Sequence, residues 1–457
     1  MNDWTLKQVQ AIVGGKIIGY GDVILTSLSM DTRTIKRGDI FIAIRGRRDG
    51  HMFAKQAAAS GAVALLVDNA LDLDIPQLVV PDTLEALQRW GQARLDAFRP
   101  SKVFAITGSV GKTSTKELLA ITTGAWKIFG NRNNIFGLPE ALATLPSGLS
   151  AAVFEMGIST PFEMKRLVEI APPNYGLITN IGTAHIENFT SGQQGIAESK
   201  GELVKNLVSE KMWVYLVTDY WSSWLASQSW ASKTVAVPVG PGATFGWEKV
   251  TPMGVYGEQF VFRFPNGKLQ VKLRLRGPHQ VRNAALAGAL AVVSGVDPEL
   301  VIQRLGTVEA EPGRGRLHIL RDGGWLLDET YNASYDSMIA CAYSLLELDG
   351  GEPCAILGCM RELGSCSEQL HREVGEGLRA IGIKQVWVYG DQSVSLARGF
   401  GSGALAFPDY DDMRDDASGL SAVDPSARIL VKGSRFWAAE RVVDWLLARY
   451  GSVVAKS

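Results

Sequence analysis

Thr107-Gly108-Ser109-Val110-Gly111-Lys112-Thr113-Ser114 is the run whose residue types and spacing are best suited to chemistry. It follows a short apolar run and opens a helical segment. The glycines let backbone N–H groups close on phosphate oxygens, and a helix N-terminus adds favourable partial charge. In such a loop Lys112 reaches the β/γ-phosphates and the Thr113 hydroxyl can ligate Mg²⁺. Gly108, Ser109, Val110, Gly111, Lys112, Thr113 and Ser114 are therefore the candidate ATP-binding set. An ordinary glycine-rich turn is the alternative, and the combination of strand, GKT and helix argues against it. Glu155 sits at the end of one apolar run and His185 after the end of another, where open α/β sheets place their ligands. For Glu155 the plain alternative is a helix-capping carboxylate, and for His185 an ordinary loop histidine. His279 and Asn283, four apart, share one helix face, where N-terminal capping is the competing role.

These residues need a parallel sheet to hold them. The apolar runs 102–107, 151–156, 176–180 and 212–218 read as buried strands. Thr160-Pro161-Phe162-Glu163 has the pattern of a capping box with proline at the first helical position. Residues 259–275 alternate around Asn266-Gly267 as a β-hairpin does, and 280–294 reads as a helix. From 313 onward, strands at 325–330, 354–358, 385–390 and 428–433 alternate with helices, which implies a doubly wound, Rossmann-like sheet. Before about residue 100, 39–44 and 63–67 read as strands around a helix at 51–60. The expected fold is α/β in three domains: 1–100, 101–312 with the phosphate loop, and 313–457. The acidic stretch 409–416 is expected to be a solvated loop.

Composition narrows the classes. The 457 residues exceed what one core usually organises, and 46% are apolar. The 46 basic and 47 acidic residues nearly cancel, so no strong overall field favours nucleic acid or an acidic membrane. Cys341, Cys354, Cys359 and Cys366 form no CxxC pair, which suggests reduced thiols rather than a zinc cluster. The N-terminus lacks the layout of a signal peptide, and the apolar run 284–295 is too short to span a bilayer. A soluble cytoplasmic protein is expected.

The loop lacks the glycine usual at position 106, where Ile stands. This compact TGxxGK[ST] form resembles that of the Mur ligases and folylpolyglutamate synthases. Other segments resemble the Mur ligase family in chain order: Asp31-Thr32-Arg33, Gly38 to Ala43 and Asp49-Gly50-His51; Asn131 to Pro139; Glu155; Thr179 to His185; Lys200; and Gly277 to Asn283. Asp328-Glu329-Thr330-Tyr331-Asn332-Ala333-Ser334 resembles the DDxYNAN segment of the members that add D-alanyl-D-alanine. Leu357 to Gly364, His371 and Val431 to Arg435 follow in the family's order. Glu329, Cys359, Tyr335 and Val217 depart from the family's usual Asp, Asp, Pro and Asn.

That resemblance implies ATP-dependent ligation of D-alanyl-D-alanine to UDP-N-acetylmuramoyl-tripeptide through an acyl phosphate, in peptidoglycan synthesis, by a monomer. It implies that Ser29, Asp31, Arg33, Asp49 and His51 meet the UDP-linked substrate, with Asn133 and Asn134 on its substrate loop. Thr113, Glu155, His185 and a carbamylated Lys200 would serve Mg²⁺, and His279, Asn283, Arg314 and Glu329 the nucleotide. Asn332, Lys432 and Arg435 would meet the incoming dipeptide, and Lys112, His185, Lys200 and Arg314 would act in catalysis. His51 could equally cap its helix, Lys200 could be a solvated lysine, and His318 matches nothing in the family. A different amino-acid specificity, a folylpolyglutamate-type substrate, and a nucleotide-binding paralogue without ligase activity are the competing readings. The DTR…GDIF segment argues against the folate enzymes.

Overall fold

The computed structural model describes residues 4–46 and 48–453. Three large sheets follow one another along the chain. The first runs Lys16–Ile18, Gln77–Val79, Ala64–Val67, Asp39–Ile42, Ser27–Ser29, parallel except for its first pair. Asp39–Ile42 and Ala64–Val67 are buried along their whole length, as expected of central parallel strands.

The central sheet is wholly parallel, in the order Val235–Val239, Met212–Leu216, Tyr175–Ile178, Lys102–Thr107, Ala151–Glu155, Trp126–Lys127. Alternate residues of its middle strands feed two separate cores. Phe104, Ile106, Val153 and Leu177 pack on the helices Lys112–Thr123 and Pro278–Val293. Val103, Ala105, Ala152 and Phe154 pack on the other face, against Leu142, Leu167 and Leu203. Helix Pro278–Val293 is buried nearly all round because a three-stranded antiparallel sheet covers it with Phe260, Phe262 and Val271.

In the C-terminal sheet Ala404–Phe407, Gln385–Tyr389, Pro353–Gly358, Arg428–Lys432 and Trp325–Glu329 run parallel. Arg316–Leu320 and Ser452–Val453 extend that edge antiparallel, so the doubly wound part is five strands wide. His318 lies on the antiparallel strand Arg316–Leu320, next to the edge, its Nε2 shielded and unpartnered. No described cysteine is in a disulfide. Among the described residues no helix is long and apolar enough to cross a membrane.

Three local expectations are corrected. Helix Glu163–Ile170 starts two residues later than a box with Pro161 at its first position requires, because Phe162 takes a left-handed φ of 71°. The Glu163 half of the motif survives: its Oε2 accepts Ser159 N at 2.6 Å and Thr160 N at 3.1 Å. The hairpin turns through Pro265-Asn266, and Gly267 already pairs with Phe264. A side chain at Gly267 would meet the Phe264 ring at 2.9 Å, so the glycine serves packing rather than the turn. Finally, the acidic stretch contains the helix Tyr410–Asp415, capped by Asp409 Oδ1 on Asp412 N at 2.9 Å. Asp411 and Asp412 favour its positive end, and buried Tyr410 and Met413 anchor it.

Candidate active site

Helix Lys112–Thr123 begins at Gly111 with φ 81° and no side-chain cap, an arrangement suited to receiving an anion. Only glycine fits the loop at two points. A Cβ on Gly108 would lie 1.8 Å from Thr179 Oγ1, and one on Gly111 would lie 2.8 Å from Asn283 Oδ1. The end of the neighbouring strand straps the loop down. Thr179 Oγ1 donates to Val110 O at 2.6 Å, Ser109 N to Asn180 O at 3.0 Å, and Val110 N to Asn180 Oδ1 at 3.0 Å. Gly182 N donates to Ser109 Oγ at 2.9 Å. Ser114 follows half-buried in the first helical turn.

Two lysine amino groups share one carbonyl here. Lys112 Nζ turns back to Gly108 O at 2.8 Å and Ser109 O at 3.3 Å, while Lys200 Nζ donates to Gly108 O at 3.1 Å. Lys200 comes from helix Gly192–Lys205 and is 3% exposed, so it is not the solvated lysine that its helical setting allowed. Burial, and then the Lys112 charge, hold its pKa well below the usual lysine range. Burial also lowers Lys112; Glu155 opposes that shift and Arg314 adds to it.

Glu155, the last residue of its strand, accepts Thr113 Oγ1 on Oε2 at 2.7 Å and Asn133 Nδ2 on Oε1 at 2.8 Å. Arg314 Nη2 donates to the same Thr113 hydroxyl at 2.9 Å, and its guanidinium lies 3.6 Å above the Tyr331 ring. Among the described residues no side-chain hydrogen bond ties His185 to this group; its Nδ1 faces Glu362 Oε2 at 2.6 Å, which leaves Nε2 available. Asn134 does not face the site either, since its Oδ1 accepts Phe136 N and Gly137 N at 3.2 and 2.9 Å, at the start of the next helix.

Glu329 and Lys432 end adjacent parallel strands in register. Lys432 Nζ donates to Asn332 O at 2.9 Å and lies 3.8 Å from Glu329 Oε2. Burial raises the Glu329 pKa, and Lys432 and Cys341 oppose the rise. Arg435 N donates to Asn332 Oδ1 at 3.4 Å, while its side chain pairs with Glu440 at 2.9 Å. The departures from the family pattern are accommodated locally. Ser334 and Ser337 form a complete capping box where Tyr335 replaces proline, and Cys359 is buried. Asn283 Nδ2 donates to Gln280 Oε1 at 3.2 Å, leaving its Oδ1 against Gly111. His279 Nδ1 is shielded and unpartnered. Burial, with the Arg282 and Lys432 charges, drives that ring's pKa down to about 3.

In the N-terminal unit Ser29 Oγ accepts Asp31 N at 3.0 Å, and Asp31 holds Arg33 with an Nη2 contact of 2.6 Å. Asp49 Oδ1 accepts His51 N at 3.0 Å and lies 2.6 Å from His51 Nδ1. His51 Nε2 accepts Asp68 N at 3.0 Å. Asp49 is thus the cap, and both His51 ring nitrogens are engaged within this unit. Asn180, Tyr331 and Glu362 lay within the motifs but had no assigned role. A polar residue directly after a parallel strand was the available signal for Asn180; the other two depend on contacts between sheets.

Three family models match the chain: "Mur ligase family, catalytic domain" over residues 25–108, "Mur ligase middle domain" over 106–291, and "Mur ligase, glutamate ligase domain" over 315–435. The UDP-N-acetylmuramoyl-tripeptide–D-alanyl-D-alanine ligase of Escherichia coli (strain K12) is 35% identical over 449 residues, covering 96% of this chain and 97% of that one. A crystal structure of MurF from Acinetobacter baumannii superposes with a TM-score of 0.89 at 29% identity, covering 98% and 99% of the two chains. MurF ligase from Thermotoga maritima, solved in complex with ADP, has a TM-score of 0.79 at 26% identity, covering 93% and 97%.

Proposed function

This chain belongs to the Mur ligase family, and from that premise we propose that it ligates D-alanyl-D-alanine to UDP-N-acetylmuramoyl-tripeptide at the expense of ATP. The reading includes a cytoplasmic monomer of three domains: 1–100 for the UDP-linked substrate, 101–312 for ATP, and 313–457 for the dipeptide. The observation that carries it is the meeting of Lys112, Lys200 and Arg314 around a Thr113–Glu155 pair at the carboxyl ends of parallel strands. Lys112 and Arg314 supply the positive charge that suits a polyphosphate, and Lys200 shares the Gly108 carbonyl with Lys112.

A carboxylate is a poor electrophile, so the tripeptide carboxylate oxygen bonds to the γ-phosphorus as the bond to ADP breaks. The dipeptide amine then attacks the acyl carbon, and phosphate leaves as the amine loses its proton. In this scheme Lys112 and Arg314 neutralise charge on the transferred phosphoryl group. Asn283, touching the loop at Gly111, is placed for the base, and Lys432 with Asn332 for the acceptor. The setting of Glu329 between Lys432 and Cys341 favours support of Lys432 over an outward ribose contact.

Mg²⁺ would supply Lewis-acid neutralisation. Thr113 Oγ1 and Glu155 Oε2, 2.7 Å apart, are the oxygens that would hold it, a donor set that suits a hard cation. Among the described residues no group of three or more His, Cys, Asp or Glu side chains converges on a metal position, and Mg²⁺ sites typically draw on water and phosphate oxygens as well. Lys200 fits a carbamate: burial favours the neutral amine that carbon dioxide requires, and Lys112 is at hand to balance the resulting anion.

Phosphate release should require ATP, UDP-N-acetylmuramoyl-tripeptide and D-alanyl-D-alanine together. Turnover that persists when either peptide substrate is omitted, or that requires a folate instead, overturns the assignment.

A further inference from the structure

The turn that follows strand Pro353–Gly358 is held more firmly than an ordinary surface loop. Cys359 N donates to Tyr389 O at 3.0 Å, and Met360 N donates to His371 Nε2 at 2.9 Å. His371 Nδ1 lies 2.7 Å from Ser367 O. An imidazole that donates from Nδ1 to a carbonyl and accepts on Nε2 is neutral, and burial lowers the His371 pKa in the same sense. Arg361 is pinned by Asp391 at 2.6 Å and lies 4.4 Å above the Phe436 ring.

The residue presented by this frame is Glu362, at a left-handed φ of 62°. Its Oε2 lies 2.6 Å from Nδ1 of His185, which belongs to the central unit and has the same φ of 62°. Left-handed backbone is costly for such residues and persists where surrounding structure enforces it. His185 Nδ1 is shielded and lies off the hydrogen-bond direction; catalytic contacts of this kind often align only when substrates bind. The two loops also approach each other at Gly364, where a Cβ would lie 2.9 Å from Glu187 Cβ.

We propose that Glu362 is a positioning residue for the ligase reaction: from the C-terminal unit, its carboxylate accepts the Nδ1 proton of His185 and so keeps the Nε2 lone pair free for the reaction. This rests on the ligase reading given above. A carboxylate behind a working imidazole fixes both tautomer and ring orientation. Because donor and acceptor belong to different units, the imidazole is set only when those units are closed.

The test uses full-length protein labelled with ¹⁵N-histidine, with ADP, inorganic phosphate and UDP-N-acetylmuramoyl-tripeptide bound. The chain has five histidines, and His185→Gln assigns the resonance. Wild type should show the His185 ring proton held on Nδ1. Glu362→Ala should convert the ring to mixed tautomers, whereas Glu362→Gln, which retains an acceptor oxygen, and the Glu187→Ala control should not. In turnover, Glu362→Ala should lower kcat about 10- to 100-fold with KM for the UDP-linked substrate unchanged. Glu362→Gln should recover most of that loss, and adding Glu362→Ala to His185→Ala should cost nothing more. An unchanged His185 tautomer in Glu362→Ala overturns the proposal, as do additive losses in the double variant. A wild-type enzyme without ligase activity overturns the proposed function, and the tautomer measurement still decides this one.

Discussion

Lys200 and Lys432 are each 3% exposed, each beside the carboxyl ends of parallel strands, yet their surroundings differ in charge. Lys432 has the Glu329 carboxylate at 3.8 Å and the Asn332 carbonyl at 2.9 Å. Lys200 donates to the Gly108 carbonyl at 3.1 Å, and burial, with the like charge of Lys112, pulls its pKa well down. A buried ammonium without a counter-ion is costly unless it gives up its proton or a ligand supplies the charge. The central site is therefore arranged to be completed by anions, and the C-terminal site is largely balanced before anything binds.

The largest effect that this contrast predicts is at Lys112. Lys112→Ala should lower kcat more than about 100-fold while the circular-dichroism spectrum is unchanged, because charge stabilisation at the phosphoryl group is lost. Lys432→Ala should act mainly through KM for D-alanyl-D-alanine. Equal kcat losses in both variants would break the distinction between the sites.

Lys200→Ala should come next, nearly inactive yet partly restored by millimolar formate or acetate, which can occupy the place of a carbamate. Full activity without a rescue agent would make Lys200 a structural residue. Stability sharpens the point. The unfolded chain keeps Lys200 protonated up to about pH 10, whereas the folded chain resists that proton, so its contribution makes unfolding harder as pH rises towards that value. Lys200→Met should flatten the rise in Tm between pH 7 and 9.

Much of this was legible in the sequence, because it lay in contiguous runs. The phosphate loop, the strands at 102–107 and 325–330 and the helix before 294 follow from local patterning, and the structure places their elements within a residue or two. What stayed hidden depends on pairs distant in sequence. Nothing near Lys200 signals that it will be buried against Gly108, and nothing near Glu362 points to His185. The acidic stretch misled for a different reason: its charges suit a helix N-terminus, and its two anchors, Tyr410 and Met413, are too few to show a period.

A smaller effect should separate holding from catalysis where the two sites meet. Arg314 reaches the Thr113 hydroxyl from the ring of Tyr331. A cation–π contact of this kind is worth roughly 0.5–2 kcal/mol. Tyr331→Leu should therefore lower kcat/KM about 2- to 30-fold, well short of Lys112→Ala. A loss as large as that of Lys112→Ala would mean Tyr331 itself contacts the reacting groups.

The smallest effect concerns His279, whose ring feels the Lys432 charge across the junction of the two sites. Folded, the ring takes a proton only near pH 3, because burial and the cations of Arg282 and Lys432 oppose it. Unfolded, it takes one at about pH 6.5. Between those values the unfolded chain binds the extra proton, so the contribution of His279 is full above about pH 6.5 and declines as the pH falls towards 3. The slope is at most about 1.4 kcal/mol per pH unit, and solvent reaching the rest of the ring reduces it. His279→Gln keeps a polar side chain of similar length without the titration. Its denaturant midpoint should match wild type at pH 7.5 to within the small cost of repacking, then fall less steeply than wild type between pH 6.5 and 4.5. Carboxylate titrations shift both proteins alike and cancel in the difference. Adding Lys432→Met to wild type should itself shrink the slope, since one of the cations that oppose protonation is gone. If Lys432→Met leaves the His279-dependent slope unchanged, the two sites are not electrostatically joined through this ring, and burial alone sets its pKa.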